Sequence, residues 1–157
     1  MYFVTSQPEY NQLKARLQKK RTDESGWGTY YLDPEDGEEW VEYWPYHEDR
    51  SPSVLRKLNI PNDLETLLGG CLASRRKDDW RGVAAHFSGL SIGSDALLEI
   101  LERRKGDFSA EALLVFGQNF ELSDRRVIMG MNYDQVTASY EALLAKRKRI
   151  AEITRTG

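Results

Sequence analysis

At 157 residues, with 40% apolar and 30% charged residues and a mean hydropathy of −0.62, the chain has the composition of a folded globular protein, not a disordered one. Its net charge of −3 conceals three blocks: five basic groups and one acidic in residues 1–22, ten acidic and none basic in 23–49, and seventeen basic against fourteen acidic in 50–157. No apolar run is long enough to span a bilayer, no secretory leader is evident, and the single Cys71 excludes an intramolecular disulfide, so a cytoplasmic protein without a membrane partner is expected.

In chain order, Tyr2-Phe3-Val4 is a candidate third strand for a sheet built further along. Residues 6 to about 21 read as a helix. Ser6 and Glu9 have capping-box spacing, Tyr10, Leu13 and Leu17 share one side, and Lys14, Arg16, Lys19, Lys20 and Arg21 lie around the rest. Residues 26–32 and 38–44 are rich in β-formers and flank Asp33-Pro34-Glu35-Asp36-Gly37. Pro34 presets φ and Gly37 accommodates a positive φ, so the segment predicts a hairpin. Alternation in its second arm puts Trp40, Glu42 and Trp44 on one face and Glu39, Val41 and Tyr43 on the other. Each face carries apolar bulk and a carboxylate, which leaves open the face that is buried. Residues 45–52 predict a loop between a β-containing front and a helical back.

Beyond that loop the period is helical. Asn62 and Glu65 form a second capping-box pair ahead of Leu64, Leu67, Leu68, Cys71 and Leu72, with Gly69-Gly70 marking a close helix contact or a kink. Asp78 is placed to cap a helix through Trp80, Val83, Ala84 and Phe87. Ser94 or Asp95 opens a helix bearing Leu97, Leu98, Ile100 and Leu101 that stops at Lys105-Gly106, and Ser109 opens one bearing Leu113, Leu114, Phe116 and Phe120. Asn132 and Gln135 open the last, with Val136, Tyr140, Leu143, Leu144 and Ile150 as its buried stripe. The expected fold is α+β and predominantly helical, with about six helices and a short antiparallel hairpin or small sheet near the N-terminus. It forms one domain over 1–157, the first helix and hairpin in 1–50 and the helical part in 51–157.

Function is read from the acidic block, whose ten carboxylates are interleaved with Trp27, Tyr30, Tyr31, Trp40, Tyr43, Trp44 and Tyr46. A negative field holding rigid amphipathic rings suits a protein partner with a basic surface. Glu35, Asp36, Glu38, Glu39, Glu42, Glu48 and Asp49 are the expected steering and ion-pairing groups, and Trp44 and Tyr46 the expected anchors; Trp27, Trp40 and Trp80 are expected in the core. Two plainer readings compete: a solvated hairpin whose charges keep an edge soluble, and internal neutralisation by the basic first helix. No metal, cofactor or catalytic residue is expected. His47 and His86 lack zinc spacing with Cys71, and carboxylate pairs are unavoidable in so dense a run. Gly89 to Ser94 lacks a phosphate-binding lysine, and the basic clusters at Arg75-Arg76-Lys77, Arg103-Arg104-Lys105 and Lys146 to Arg149 suit helix C-termini, so direct nucleic-acid binding is not expected.

The string Asp33-Pro34-Glu35-Asp36-Gly37-Glu38-Glu39-Trp40, followed by Tyr43-Trp44-Pro45, resembles a family of small bacterial immunity proteins that neutralise polymorphic or contact-delivered toxins. The likeness covers roughly residues 26–60. It implies a non-catalytic inhibitor that binds a cognate toxin domain, often a nuclease, and blocks it. The alternative is a helical adaptor or regulatory module that binds through its α-helical back; a small carboxylate hydrolase would need a deep pocket with two converging carboxylates.

Overall fold

An antiparallel sheet from the first part of the chain packs against helices from the remainder in this computed structural model, which describes residues 1–26, 28–45, 53–89, 94–120 and 133–155. The five strands are β1 (Phe3–Val4), β2 (Gln18–Thr22), β3 (Gly28–Leu32), β4 (Glu39–Tyr43) and β5 (Val54–Lys57), in the spatial order β1-β5-β4-β3-β2. The expected hairpin is β3–β4, in the register Leu32 opposite Glu39 and Gly28 opposite Tyr43. The sheet is larger than that hairpin. A strand within the expected helical part, β5, pairs along β4 with Arg56 opposite Val41, and β1 joins β5 instead of the hairpin.

Among the described residues the helices are α1 (Gln7–Arg16), α2 (Leu64–Ala73), α3 (Lys77–Gly89), α4 (Ser94–Arg104), α5 (Ala110–Asn119) and α6 (Tyr133–Arg155). The first is shorter than expected. After Leu17 no apolar residue continues the stripe, the backbone turns extended at Leu17, and residues 18–22 pair with β3 as an edge strand. Lys and Arg are good helix formers by only a few tenths of a kcal/mol, which main-chain pairing to a formed sheet outweighs.

Two of the expected caps also differ. Asp63, not Asn62, caps α2 by accepting from the Thr66 N–H at 2.9 Å, while Glu65 reaches Arg103 at 2.9 Å. The Ser6 hydroxyl donates to Asp78 at 2.9 Å instead of capping α1. Ser109 does cap α5, accepting from the Ala112 N–H at 3.1 Å.

The larger core lies between sheet and helices and includes Phe3, Val54, Leu68, Trp80, Val83, Leu98, Leu101, Leu113 and Phe116. A smaller one lies on the opposite face of the sheet, where Tyr10 and Leu13 of α1 cover Val4, Trp40 and Leu55. Both faces of β4 are therefore occupied, which settles the ambiguity of its alternating pattern: Trp40, Val41 and Glu42 are all buried. Ile150 and Ile153 anchor the C-terminal part of α6. Leu144, expected in its stripe, is 43% exposed, and the side chains of Val136 and Tyr140 lie outside the described residues. The basic run Lys146 to Arg149 is internal to α6 and bonds it to α4, through Arg149 to Glu102 at 2.6 Å and Lys146 to Asp95 at 3.2 Å. Arg75-Arg76-Lys77, expected in a last helical turn, spans the junction of α2 and α3.

The sheet is fastened to α3 by two buried carboxylates. Asp79 accepts from the Tyr2 and Phe3 N–H groups at 2.9 and 3.0 Å and from the Ser74 hydroxyl at 3.0 Å. Asp78 accepts from the Thr5 and Ser6 N–H groups at 3.1 and 3.3 Å and from both hydroxyls. Burial opposes the charge on Asp78, yet those hydrogen bonds outweigh it and hold its carboxyl below the usual range. Phe3 is fully buried, and a Cβ on Gly82 would lie 2.3 Å from its Cβ and Cγ. Gly82→Ala is therefore expected to lose about 1–3 kcal/mol by overpacking, despite a helix-propensity gain of up to about 1 kcal/mol, as read from urea unfolding midpoints.

His86 of α3 sits among Phe3, Tyr43 and Phe87, its Nδ1 2.8 Å from the Tyr43 hydroxyl. Burial pushes the imidazole down to about 4, helped by the charge of Arg56, and pushes the Tyr43 phenol up. The phenol therefore keeps its proton, the imidazole is neutral at pH 7, and one hydrogen bond joins the two uncharged groups. Between about pH 6.5 and 4 the unfolded chain binds this proton and the folded chain does not, so stability falls as pH drops through that window and no further below it. The expected contribution between pH 7 and 4.5 is a loss of about 2–3 kcal/mol that His86→Gln removes, measured as the difference in pH dependence between the two proteins.

Candidate partner-binding site

Local chemistry builds the turn that joins β3 to β4. Asp33 N–H donates to the Glu38 carbonyl at 2.8 Å and Gly37 N–H to the Asp33 carbonyl at 2.9 Å. The Asp33 side chain accepts from Glu35 N–H at 3.0 Å and the Asp36 side chain from Glu38 N–H at 2.9 Å. Gly37 adopts φ +77°, the left-handed region that its missing Cβ makes inexpensive. The result is a rigid tip that projects Glu35, Asp36, Glu38 and Glu39.

The acidic block does not form one negative surface. Asp33 is buried and receives the Arg16 guanidinium, Nη2 at 3.0 Å and Nε at 3.1 Å. Burial raises its carboxyl, but the bonds from Arg16 and Glu35 N–H, with the Arg16 charge, hold it below the usual range. Arg16 Nε also lies 3.6 Å from Glu35. Glu42, expected at the partner interface, is instead buried within the sheet. It is held by the Tyr10 hydroxyl and by Lys14 Nζ at 2.8 Å, with Ser53 Oγ 2.6 Å from the same hydroxyl. Burial pushes its carboxyl above the usual range. Glu38 meets Lys57 at 3.6 Å and Glu39 meets Lys20 at 3.8 Å. Internal neutralisation is therefore a property of the fold. It comes from α1 as anticipated, and also from β2 and β5.

What remains at the surface is graded. The Glu35 side chain is 70% exposed, Glu39 46% and Glu38 38%, and Asp36 is exposed. Gly37, Glu38 and Glu39 line an open depression of about 470 Å³ with Leu58 and Asn59, and Leu58 is 37% exposed. Leu58 follows β5 and docks there through its N–H, which donates to the Glu39 carbonyl at 2.8 Å. Trp44 is half-buried just past the other end of β4, about 16 Å along the strand from Glu39 at about 3.3 Å per residue. Of the described nominated residues, Glu42 is buried, Glu35, Asp36, Glu38 and Glu39 share the turn, and Trp44 stands apart from them. Tyr46, Glu48 and Asp49, with His47, lie outside the described residues.

Sequence reasoning missed Leu58, Asn59 and Lys57, among the described residues the one cation of the block's partners outside the expected first helix. The one available signal was Val54-Leu55 between Pro52 and Pro61, a short apolar pair bounded by breakers. Among the described residues no group of three or more His, Cys, Asp and Glu side chains is placed to hold a metal, and no helix is long and apolar enough to cross a membrane. Cys71 is buried, and burial pushes its thiol up, which suits an inert packing role. No family model, curated protein or solved structure matches the chain.

Two contacts of the block, one a buried hydrogen bond and one an exposed ion pair, differ in what their loss should do. Tyr10→Phe removes the hydroxyl that Glu42 accepts from and leaves a buried carboxylate short of a donor, an expected loss of about 1–3 kcal/mol in chemical unfolding. Lys20→Ala breaks only the exposed pair with Glu39 and is expected to change stability by less than about 1 kcal/mol.

Proposed function

We propose that the chain is a non-catalytic inhibitor of the immunity type, which binds a cognate toxin domain through a basic surface of that domain and blocks it. The observation that carries this reading is the tip of the β3–β4 hairpin. There Glu35 and Asp36 are exposed on the turn, and beside them Glu38 and Glu39 line a depression together with an exposed leucine, Leu58. A partner's lysine or arginine would lay its aliphatic stem on Leu58 and its charge against Glu38 and Glu39. The present partners of those two carboxylates, Lys57 and Lys20, sit at 3.6 and 3.8 Å in solvent-accessible pairs. Such pairs contribute about 0–1 kcal/mol, so an incoming cation displaces them at small cost. The hydrogen-bonded turn holds the carboxylates in place before binding, which lowers the ordering cost. A nuclease is a fitting target because its phosphate-binding surface is basic. Trp44 marks a second contact patch at the opposite end of β4, and Tyr46, Glu48 and Asp49 follow it in the chain.

The test is association of the chain with a toxin domain of basic surface, sought first in the neighbouring reading frame. Glu35→Lys, Glu38→Lys and Glu39→Lys together are expected to slow association at least about tenfold and to abolish its salt dependence. Unchanged, salt-insensitive association would overturn the reading. A helical adaptor is the second reading, favoured by Leu114 and Leu144, 46% and 43% exposed on α5 and α6. Under it the charge reversals leave binding intact, and Leu114→Glu with Leu144→Glu removes it.

A further inference from the structure

We propose that β2 is a docking edge that takes an extended acidic segment of a partner protein as a sixth strand of the sheet. A sheet has two edges, and here they are unlike. The β1 edge is two residues long, and the Tyr2 and Phe3 N–H groups are consumed by Asp79 of α3. The β2 edge is five residues long, pairs among the described residues with β3 on one side only, and exposes every residue from Gln18 to Thr22. The outward half of its backbone donors and acceptors is therefore available to another strand.

Charge selects the occupant. Lys19, Lys20 and Arg21 occupy the middle of the edge. Among the described residues Lys19 makes no ion pair, Lys20 reaches Glu39 only at 3.8 Å, and the Arg21 guanidinium lies over the Tyr30 ring at 4.0 Å without a carboxylate. Antiparallel pairing of two copies would set these cations against one another, and like charges directly opposite are destabilising. A second copy is thereby disfavoured, while carboxylates in the same positions are favoured.

The register adds a further requirement. Lys19 is opposite Tyr31, on the Trp40 face of the sheet. The register shifts between Lys19 and Arg21, and Arg21 is opposite Tyr30, on the other face. Cations thus flank both faces of the edge, so the fitting segment carries adjacent carboxylates among β-branched residues rather than acids on one face alone. This surface and its acidic occupant are distinct from the hairpin tip and the basic partner proposed for it.

The experiment titrates the full chain with three labelled, end-capped seven-residue peptides and reads fluorescence anisotropy and amide chemical shifts. One is Thr-Val-Glu-Glu-Val-Glu-Thr, one replaces each Glu by Lys, and one is the acidic peptide with alternate backbone amides N-methylated. The expected result is binding of the first alone, with amide shifts centred on residues 18–22. The other two are expected to bind at least about tenfold more weakly, as is the acidic peptide to a Lys19→Glu, Lys20→Glu, Arg21→Glu variant. Should that variant fail to fold, the comparison of peptides on the unaltered chain still decides. Absence of binding, equal binding of the lysine peptide, equal binding of the N-methylated peptide, or self-association through β2 would each overturn the proposal.

Discussion

Two adjacent carboxylates at the start of α3 hold the molecule together. Asp78 and Asp79 accept the N–H groups of Tyr2, Phe3, Thr5 and Ser6, which fixes β1 on α3 and sets where α1 begins. Both are buried, and a buried carboxylate is tolerable only when several donors meet it. Phe3, seated on Gly82, closes the same junction with apolar area. From there α1 runs across the outer face of the sheet, where Tyr10 and Leu13 cover Trp40 and Leu55.

That path determines the electrostatics. It brings Lys14 to Glu42 and Arg16 to Asp33, while the strand that follows brings Lys20 to Glu39. In a segment with ten carboxylates and no cation in sequence, five of the described carboxylates, Asp33, Glu35, Glu38, Glu39 and Glu42, meet cations of other elements in space. Binding is consequently a matter of position more than of net charge. The exposed acids of the β3–β4 turn mark one end of β4, Trp44 the other, and the basic edge of β2 lies beyond β3.

The hairpin was legible because its determinants are local. Pro34 and Gly37 impose their dihedrals wherever they stand, and Asp33 and Asp36 bond to backbone two residues away. Most helices were legible for the same reason, through period and caps. What depended on distant partners was not. Gln18–Thr22 has side chains that a helix tolerates, and only β3 makes it a strand. Val54–Lys57 is too short to announce itself without β4. Glu42 reads as a surface acid until Tyr10 and Lys14, 32 and 28 residues earlier, are placed against it. Asp78 reads as a helix cap, and in the fold it binds the chain's first residues instead.

If the clasp on α3 positions α1, and α1 in turn neutralises the hairpin, the two sites are energetically linked although no side chain joins them. A double-mutant cycle between Asp78→Asn and Arg16→Ala, followed by urea unfolding, measures that link. The expected result is non-additivity: with the clasp weakened, losing Arg16 costs clearly less than it does in the intact chain. Strict additivity of the two substitutions would contradict it.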